Sequence, residues 1–311
     1  MIPILTDPRC LDHGPFPGYP ERPERLRRIF EHLELEGWPV ERGFEHPQTR
    51  SMVEALHDPR YVARFERAVA RGDGLLDSAD NPLSPGSAKA AWAAVKVSLA
   101  AADRVATGGA GERKVFVAAR PPGHHAEHDR AMGFCFFCNV AAATEHLRRA
   151  HGLERVAIFD FDVHHGNGTQ HLFESRGDVF YASTHQFPFY PGTGAAEETG
   201  EGEGKGATLN VPLPAGTGDD GYREAIRGEV LPALEAFAPE ALVISAGFDA
   251  WRGDPLAGMR VSEEGFADWG RWLGELADRI CDGRVLSLLE GGYDLTALPR
   301  LVEAYLRGLG G

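Results

Sequence analysis

Asp160, Asp162 and His164 stand at i, i+2 and i+4 at the end of the apolar run Val156–Phe159. On an extended chain, alternate side chains share one face. Carboxylate oxygen and imidazole nitrogen are donors that a zinc ion takes at about 2.0–2.2 Å. Asp162 and His164 can reach one ion, and Asp249, which follows the apolar run Leu242–Ser245, is the candidate third ligand. Three protein ligands leave a position for water and substrate, as a catalytic zinc requires. A histidine in the set disfavours magnesium and calcium. Ligand type alone leaves iron and cobalt open.

His124 and His125 follow Pro121-Pro122-Gly123, a turn restricted by proline and released by glycine. Paired imidazoles beside a metal suit proton transfer near neutral pH: one can take a proton from water and deliver it to a leaving amine. Asp160 and Asn167 are placed to orient the two rings. Tyr293 follows Glu290-Gly291-Gly292, whose glycines let the chain turn sharply. Its phenol can donate to an oxyanion.

These groups need a scaffold that brings them together. Short apolar runs at Val115–Ala119, Val156–Phe159, Val179–Ser183, Leu242–Ser245 and Val285–Leu289 predict strands. Helical patterns cover Glu21–Glu36, Pro59–Arg71, Ser87–Ala106, Val140–His151, Asp219–Phe237 and Glu263–Cys281. Strands alternating with helices predict an α/β fold with a parallel sheet and helices on both faces. Each polar cluster closes one strand: Arg120–His125, Asp160–Gly168, Ser183–His185, Ala246–Asp249 and Glu290–Tyr293. Ligands bind at the carboxyl ends of strands in such sheets, so the five clusters predict one site.

Composition narrows the partners. The 311 residues carry 32 Lys+Arg against 46 Asp+Glu, a net charge of −14, which repels nucleic acid phosphates. No run approaches the roughly 20 apolar residues of a membrane span. The first residues, Met1–Asp7, hold too short an apolar run for a signal peptide. Four cysteines make no disulfide framework in so long a chain. Cys135 and Cys138 have redox-like spacing but sit in an apolar run, so buried thiols are expected there rather than a redox pair or structural zinc. Gly192–Gly206, rich in Gly, Glu and Thr, predicts a mobile surface loop. Without repeats or a linker, one domain over residues 1–311 and a cytoplasmic location are the expectations; oligomeric state is left open.

The motifs RPPGHHA, GFCFF, FDFDVHHGNGTQ, SAGFDA and LEGGYDL together resemble the histone deacetylase family, including bacterial histone deacetylase-like amidohydrolases and acetylpolyamine amidohydrolases. The resemblance runs from Gly18-Tyr19-Pro20-Glu21-Arg22-Pro23 to Tyr293-Asp294-Leu295. It implies the arginase/deacetylase fold, a single domain with an eight-stranded parallel sheet. By resemblance, Asp162, His164 and Asp249 are the zinc ligands and His125 the general base and acid. His124 is its electrostatic partner, and Tyr293 polarises the carbonyl. Asp160 would sit behind His124 and Asn167 behind His125. Asparagine there, with Leu289–Tyr293, matches the class II pattern, and its lack of charge makes His125 the less basic ring. The family also implies structural potassium at Asp160, Asp162, His164, Ser183 and Thr184. It further implies an acyl-lysine tunnel at Gly133, Phe134 and Tyr190, and an internal cavity at Arg25.

Three functions follow from this. The first is hydrolysis of an N-acyl-lysine in protein or peptide. The second applies the same chemistry to small acetylated amines such as acetylpolyamines, and the third is a non-catalytic acyl-lysine binder. Loss of a ligand or of the tyrosine would mark the third, and neither is missing. Leu256 stands where a polyamine-selective relative carries glutamate, which favours acyl-lysine.

Overall fold

The computed structural model describes residues 1–14, 16–109 and 111–311. Ten strands are present among the described residues: β1 (Ile4–Thr6), β2 (Val40–Arg42), β3 (Leu75–Leu76), β4 (Ser78–Pro82), β5 (Lys114–Val117), β6 (Val156–Asp160), β7 (Val179–Gln186), β8 (Thr208–Leu213), β9 (Ala241–Ala246) and β10 (Val285–Leu289). β3 and β4 pair as an antiparallel hairpin. The other eight form one parallel sheet in the order β2-β1-β5-β10-β9-β6-β7-β8. The central strands β6, β9 and β10 are buried at every position. Helices cover both faces of such a sheet, so its strands are nearly continuous apolar runs.

One face carries α1 (Glu24–Leu35), α7 (Asp219–Ala225), α8 (Leu231–Phe237), α9 (Glu263–Ile280) and α10 (Leu298–Gly310). The other carries α2 (Thr49–Leu56), α3 (Pro59–Arg71), α4 (Ser87–Thr107), α5 (Asn139–His151) and α6 (Asn167–Phe173). The alanine-rich α4 has small side chains along most of its length and is buried between strands and α5. No helix among the described residues is long and apolar enough to cross a membrane.

Several expected boundaries move for physical reasons. The first helix starts at Glu24 rather than Glu21, because Pro23 pushes the residue before it out of helical geometry. The span Asp219–Phe237 is two α-helices joined by a π turn at Ile226–Val230. Pro232 has no N–H to continue the regular ladder there. β5 ends at Val117, short of Ala119. β7 runs on to Gln186, paired with β8, so Ser183-Thr184-His185 lies inside a strand instead of closing it. The Gly192–Gly206 segment is anchored by Glu198, whose carboxylate accepts from Gly194 and Ala195 N–H (3.0 Å each) and from Gln170 (2.7 Å). All four cysteines are buried and free.

Candidate active site

The segment after β6 folds by its own carboxylates. Asp160 Oδ1 accepts from the Asp162 N–H (3.1 Å), and Asp162 Oδ1 accepts from the His164 N–H (2.9 Å). Such side-chain turns bend the chain two residues on. The expected shared face of Asp160, Asp162 and His164 is therefore corrected. Asp162 and His164 converge through the bend, while Asp160 turns away to His124.

Asp249, delivered by β9, completes the group. His164 Nδ1 lies 3.0 Å from Asp162 Oδ1 and 3.2 Å from Asp249 Oδ2. All three side chains are buried, and one ligand atom from each falls within 4.8 Å of the others. Asp249 Oδ1 accepts from the Val163 N–H (2.9 Å), whereas Asp249 Oδ2 has no hydrogen-bond donor among the described residues. Two buried carboxylates around one imidazole need a cation. Burial alone would lower the His164 pKa, but Asp162 and Asp249 raise it to about 10. Donor atoms about 3.3 Å apart are those of a tetrahedral ion with bonds of about 2.0–2.1 Å. The donor set fits zinc.

Glycines let the backbone close around these carboxylates. A Cβ on Gly247 would meet Asp162 Oδ2 at 2.1 Å, and one on Gly291 would meet Asp249 Oδ2 at 2.1 Å. The Gly291 N–H donates to Asp162 Oδ2 (2.7 Å). After β10, Gly292 takes a φ of 109°, open to glycine, and swings Tyr293 toward the site.

The two histidines differ through what lies behind them. His124 Nδ1–H donates to Asp160 Oδ2 (3.1 Å). Burial alone would lower its pKa, but Asp160 and Asp162 raise it to about 10. His125 Nδ1 is 2.7 Å from Asn167 Oδ1. The Asn167 amide nitrogen donates to Glu127, so its oxygen must face His125. Nδ1 of His125 then carries the proton, leaving the Nε2 lone pair free. Burial, followed by the charges of His124 and His164, pushes the His125 pKa well below its ordinary value. His125 is the less basic ring, in line with its neutral partner.

A pocket of 240 Å³ opens over this group, lined by Asp80, His125, Gly133, Phe134, His164, Phe189, Tyr190, Leu256 and Tyr293. Its walls are aromatic: Phe189 stacks on His164 at 5.4 Å, and Tyr190 meets His125 edge-on at 5.2 Å. Gly133 and Phe134 both take left-handed backbone, φ 54° and 68°. The β3–β4 hairpin holds them there, Asp80 accepting from the Gly133 N–H and Asn81 from the Phe134 N–H, each at 3.0 Å. The Tyr190 hydroxyl donates to the same Asp80 (2.8 Å).

Some contributors were not foreseen. Asp80 and Phe189 line the pocket, and Glu127 fixes Asn167. Asp254 accepts from the backbone N–H of both Tyr293 (2.7 Å) and Leu256 (2.9 Å), tying two pocket residues together. Asp254 lies in Arg252-Gly253-Asp254-Pro255, a turn whose chemistry was visible but whose partners were not. Arg25 sits beneath the pocket, its guanidinium carbon 4.9 Å from the centre of the Tyr293 ring and its Nε donating to Gly292 O (2.7 Å). Ser183 and Thr184 are buried one strand away from the Asp162–His164–Asp249 group, Ser183 in register with Asp160.

Comparison with known proteins agrees with this geometry. Residues 19–309 match the histone deacetylase domain. The chain is 40% identical to a histone deacetylase-like amidohydrolase of Pseudomonas aeruginosa, over 94% of this chain and 77% of that one. It is 39% identical to a probable deacetylase of Archaeoglobus fulgidus, over 95% and 82%. Among solved structures, the HD domain of HDA15 superposes with a TM-score of 0.91 at 36% identity, covering 100% of this chain and 88% of that one. An acetylpolyamine aminohydrolase from Burkholderia pseudomallei gives 0.90 at 31%, covering 100% and 99%. The chain belongs to the histone deacetylase family, has its arginase/deacetylase fold, and is a hydrolytic deacetylase.

Proposed function

We propose that the protein is a zinc-dependent deacylase that hydrolyses the amide of an N-acyl-lysine in protein or peptide. The observation that carries this reading is the Asp162–His164–Asp249 group at the base of a narrow aromatic pocket, with His125 and Tyr293 beside it. Asp162, His164 and Asp249 would hold the zinc, which when bound would supply Lewis acidity toward water and the acyl carbonyl.

The chain's own groups do the rest. Phe134, Phe189 and Tyr190 bind the apolar lysine stem and exclude bulk water. His125 Nε2 takes the proton of the attacking water, and the same ring then returns it to the departing amine. His124, held by Asp160, stabilises the charge that develops nearby. Burial keeps the Tyr293 pKa well above its ordinary value, so its hydroxyl stays protonated and donates to the carbonyl oxygen as charge builds there. The products are a carboxylate and a free amine.

Structural potassium at Asp160, Asp162, His164, Ser183 and Thr184 belongs to the same reading. It is supported by the Asp160–Ser183 register and by Thr184 Oγ1, buried without a partner among the described residues. Residues 1–311 then form one catalytic domain. Four free thiols accord with a cytoplasmic location and the acidic chain with no direct nucleic acid contact.

A second reading, deacetylation of a small acetylated amine, is favoured by the Burkholderia pseudomallei neighbour and by Asp80 at the pocket wall. Leu256, also on the wall, offers no charge to a free polyamine. The test is a turnover panel of zinc-loaded enzyme on acyl-lysine peptides and acetylated polyamines. Acyl-lysine peptides should give the higher kcat/KM; a preference for acetylspermidine or acetylputrescine over every peptide replaces the first reading with the second.

A further inference from the structure

On the α4–α5 side of the molecule, three imidazoles converge on one carboxylate. Asp103, on α4, accepts from His46 at Oδ2 (3.1 Å), and from His146 (2.6 Å) and His151 (2.7 Å) at Oδ1, all through Nε2. His146 and His151 lie on α5, and His46 lies in the segment between β2 and α2. The rings pack edge to face, His46 against His146 at 4.7 Å and His146 against His151 at 5.3 Å.

The cluster is remote from the pocket. Asp103 falls about 24 Å along α4 from Ser87, at 1.5 Å per residue. His151 is the last residue of α5. Each of these helices leads back to the start of the following strand, so its C-terminal end lies at the amino edge of the sheet. The catalytic pocket is at the opposite, carboxyl edge, and no group in the reaction calls on these four residues.

We propose that His46, Asp103 and His146, with His151 as fourth donor, form a second metal site for a late first-row divalent ion such as zinc or nickel. Three imidazoles and one carboxylate suit these ions rather than magnesium or calcium. Ligand atoms of His46, Asp103 and His146 already lie within 4.8 Å of one another. Small side-chain shifts bring them to the roughly 3.3 Å spacing of a tetrahedral ion. Asp103, with 42% of its side chain exposed, gives the ion a way in, while His46 (8%) and His146 (2%) shield it from behind.

Binding at Nε2 moves each ring proton to Nδ1, and that limits affinity. His46 Nδ1 gives up a weak 3.3 Å bond from the Gln48 N–H, and His146 Nδ1 is buried with no partner among the described residues. The site is therefore weaker than the Asp162–His164–Asp249 group. Its ion would pin the His46 segment to α4 and α5, acting as a stabilising ligand.

The test uses untagged full-length protein already carrying one tightly bound zinc. Zinc is titrated in competition with a chromophoric chelator, and thermal melting is followed with and without added zinc. Wild type should take a second equivalent and melt at a higher temperature with zinc. His46→Ala and Asp103→Asn should each lose both the second equivalent and the shift, with turnover at one equivalent unchanged. If Asp103→Asn does not fold, His46→Ala, in the segment between β2 and α2, carries the comparison. Failure of wild type to bind a second equivalent overturns the proposal, as does an undiminished second equivalent in either folded variant.

Discussion

Gly291→Ala adds one methyl group to the protein, yet it should remove most of the activity. The new Cβ would stand 2.1 Å from Asp249 Oδ2 and 2.5 Å from Asp162 Oδ2. Cβ contacts essentially never fall below 3.0 Å, so the Asp249 oxygen must retreat by about 1 Å. The backbone at Gly291 is not left-handed, so alanine adds no conformational strain of its own. Metal–ligand distances tolerate only about ±0.2 Å, so a displacement this large removes Asp249 from the ligand set. A misplacement of about 1 Å at a reacting centre costs about 10²-fold, close to 3 kcal/mol of transition-state stabilisation. The assay pairs kcat/KM on an acetyl-lysine peptide with elemental analysis of retained zinc, after circular dichroism has established that the variant is folded. Gly228→Ala is the control: nothing lies within 4 Å of its Cβ position, and turnover should stay within about twofold. A folded Gly291→Ala that keeps its zinc and turns over within a few-fold of wild type would refute the assignment of Asp162 and Asp249 as ligands.

Three further outcomes follow from the same geometry. Tyr293→Phe removes one donor to the developing oxyanion and leaves the ligands in place, so kcat should fall by about 10²–10³ with zinc content unchanged. Leu256→Glu puts a carboxylate on the pocket wall and should shift the polyamine-to-peptide ratio of kcat/KM upward by about tenfold to a hundredfold, read in the same substrate panel. Glu21 predicts an acid limb in stability. Burial alone would raise its pKa, but the bidentate Arg120 at 2.7 and 2.6 Å, with His13 and Arg25, lowers it from 4.5 to about 2. Its contribution, on the order of 3 kcal/mol, is complete above pH 4.5 and lost as pH falls toward 2. In denaturant melts, the stability gap between wild type and Glu21→Gln should therefore shrink across that window. A gap independent of pH would contradict the ion-pair account.

What the sequence made legible was the chemistry at strand ends. β6, β9 and β10 are buried on both faces, so each appears as an unbroken apolar run that stops where a polar motif begins. That contrast placed Asp162, His164, Asp249 and Tyr293 in one site. The edges of the sheet carried less signal. β1 and β2 are three residues each, and β8 holds Pro212 and exposes part of its surface, so none shows a strong period. The α10 pattern Leu298, Leu301, Val302, Tyr305, Leu306 and Leu309 has the spacing of one apolar helix face, a signal present in the sequence. The strand geometry invoked for Asp160–His164 failed because side-chain-to-backbone bonds from Asp160 and Asp162 compete with extension. Asp80 and Glu127 act on groups far along the chain, as Asp254 does on the Tyr293 N–H, and no local pattern announces such partners.

The most direct measurement is zinc reconstitution of the chelator-stripped protein, with turnover followed as metal is added back. Stripped wild type should be inactive, regain acetyl-lysine deacetylation in proportion to added zinc, and reach its plateau when the Asp162–His164–Asp249 site holds one ion. Asp249→Ala should remain inactive at every zinc level. Full turnover by the stripped protein, or by Asp249→Ala, would contradict the account.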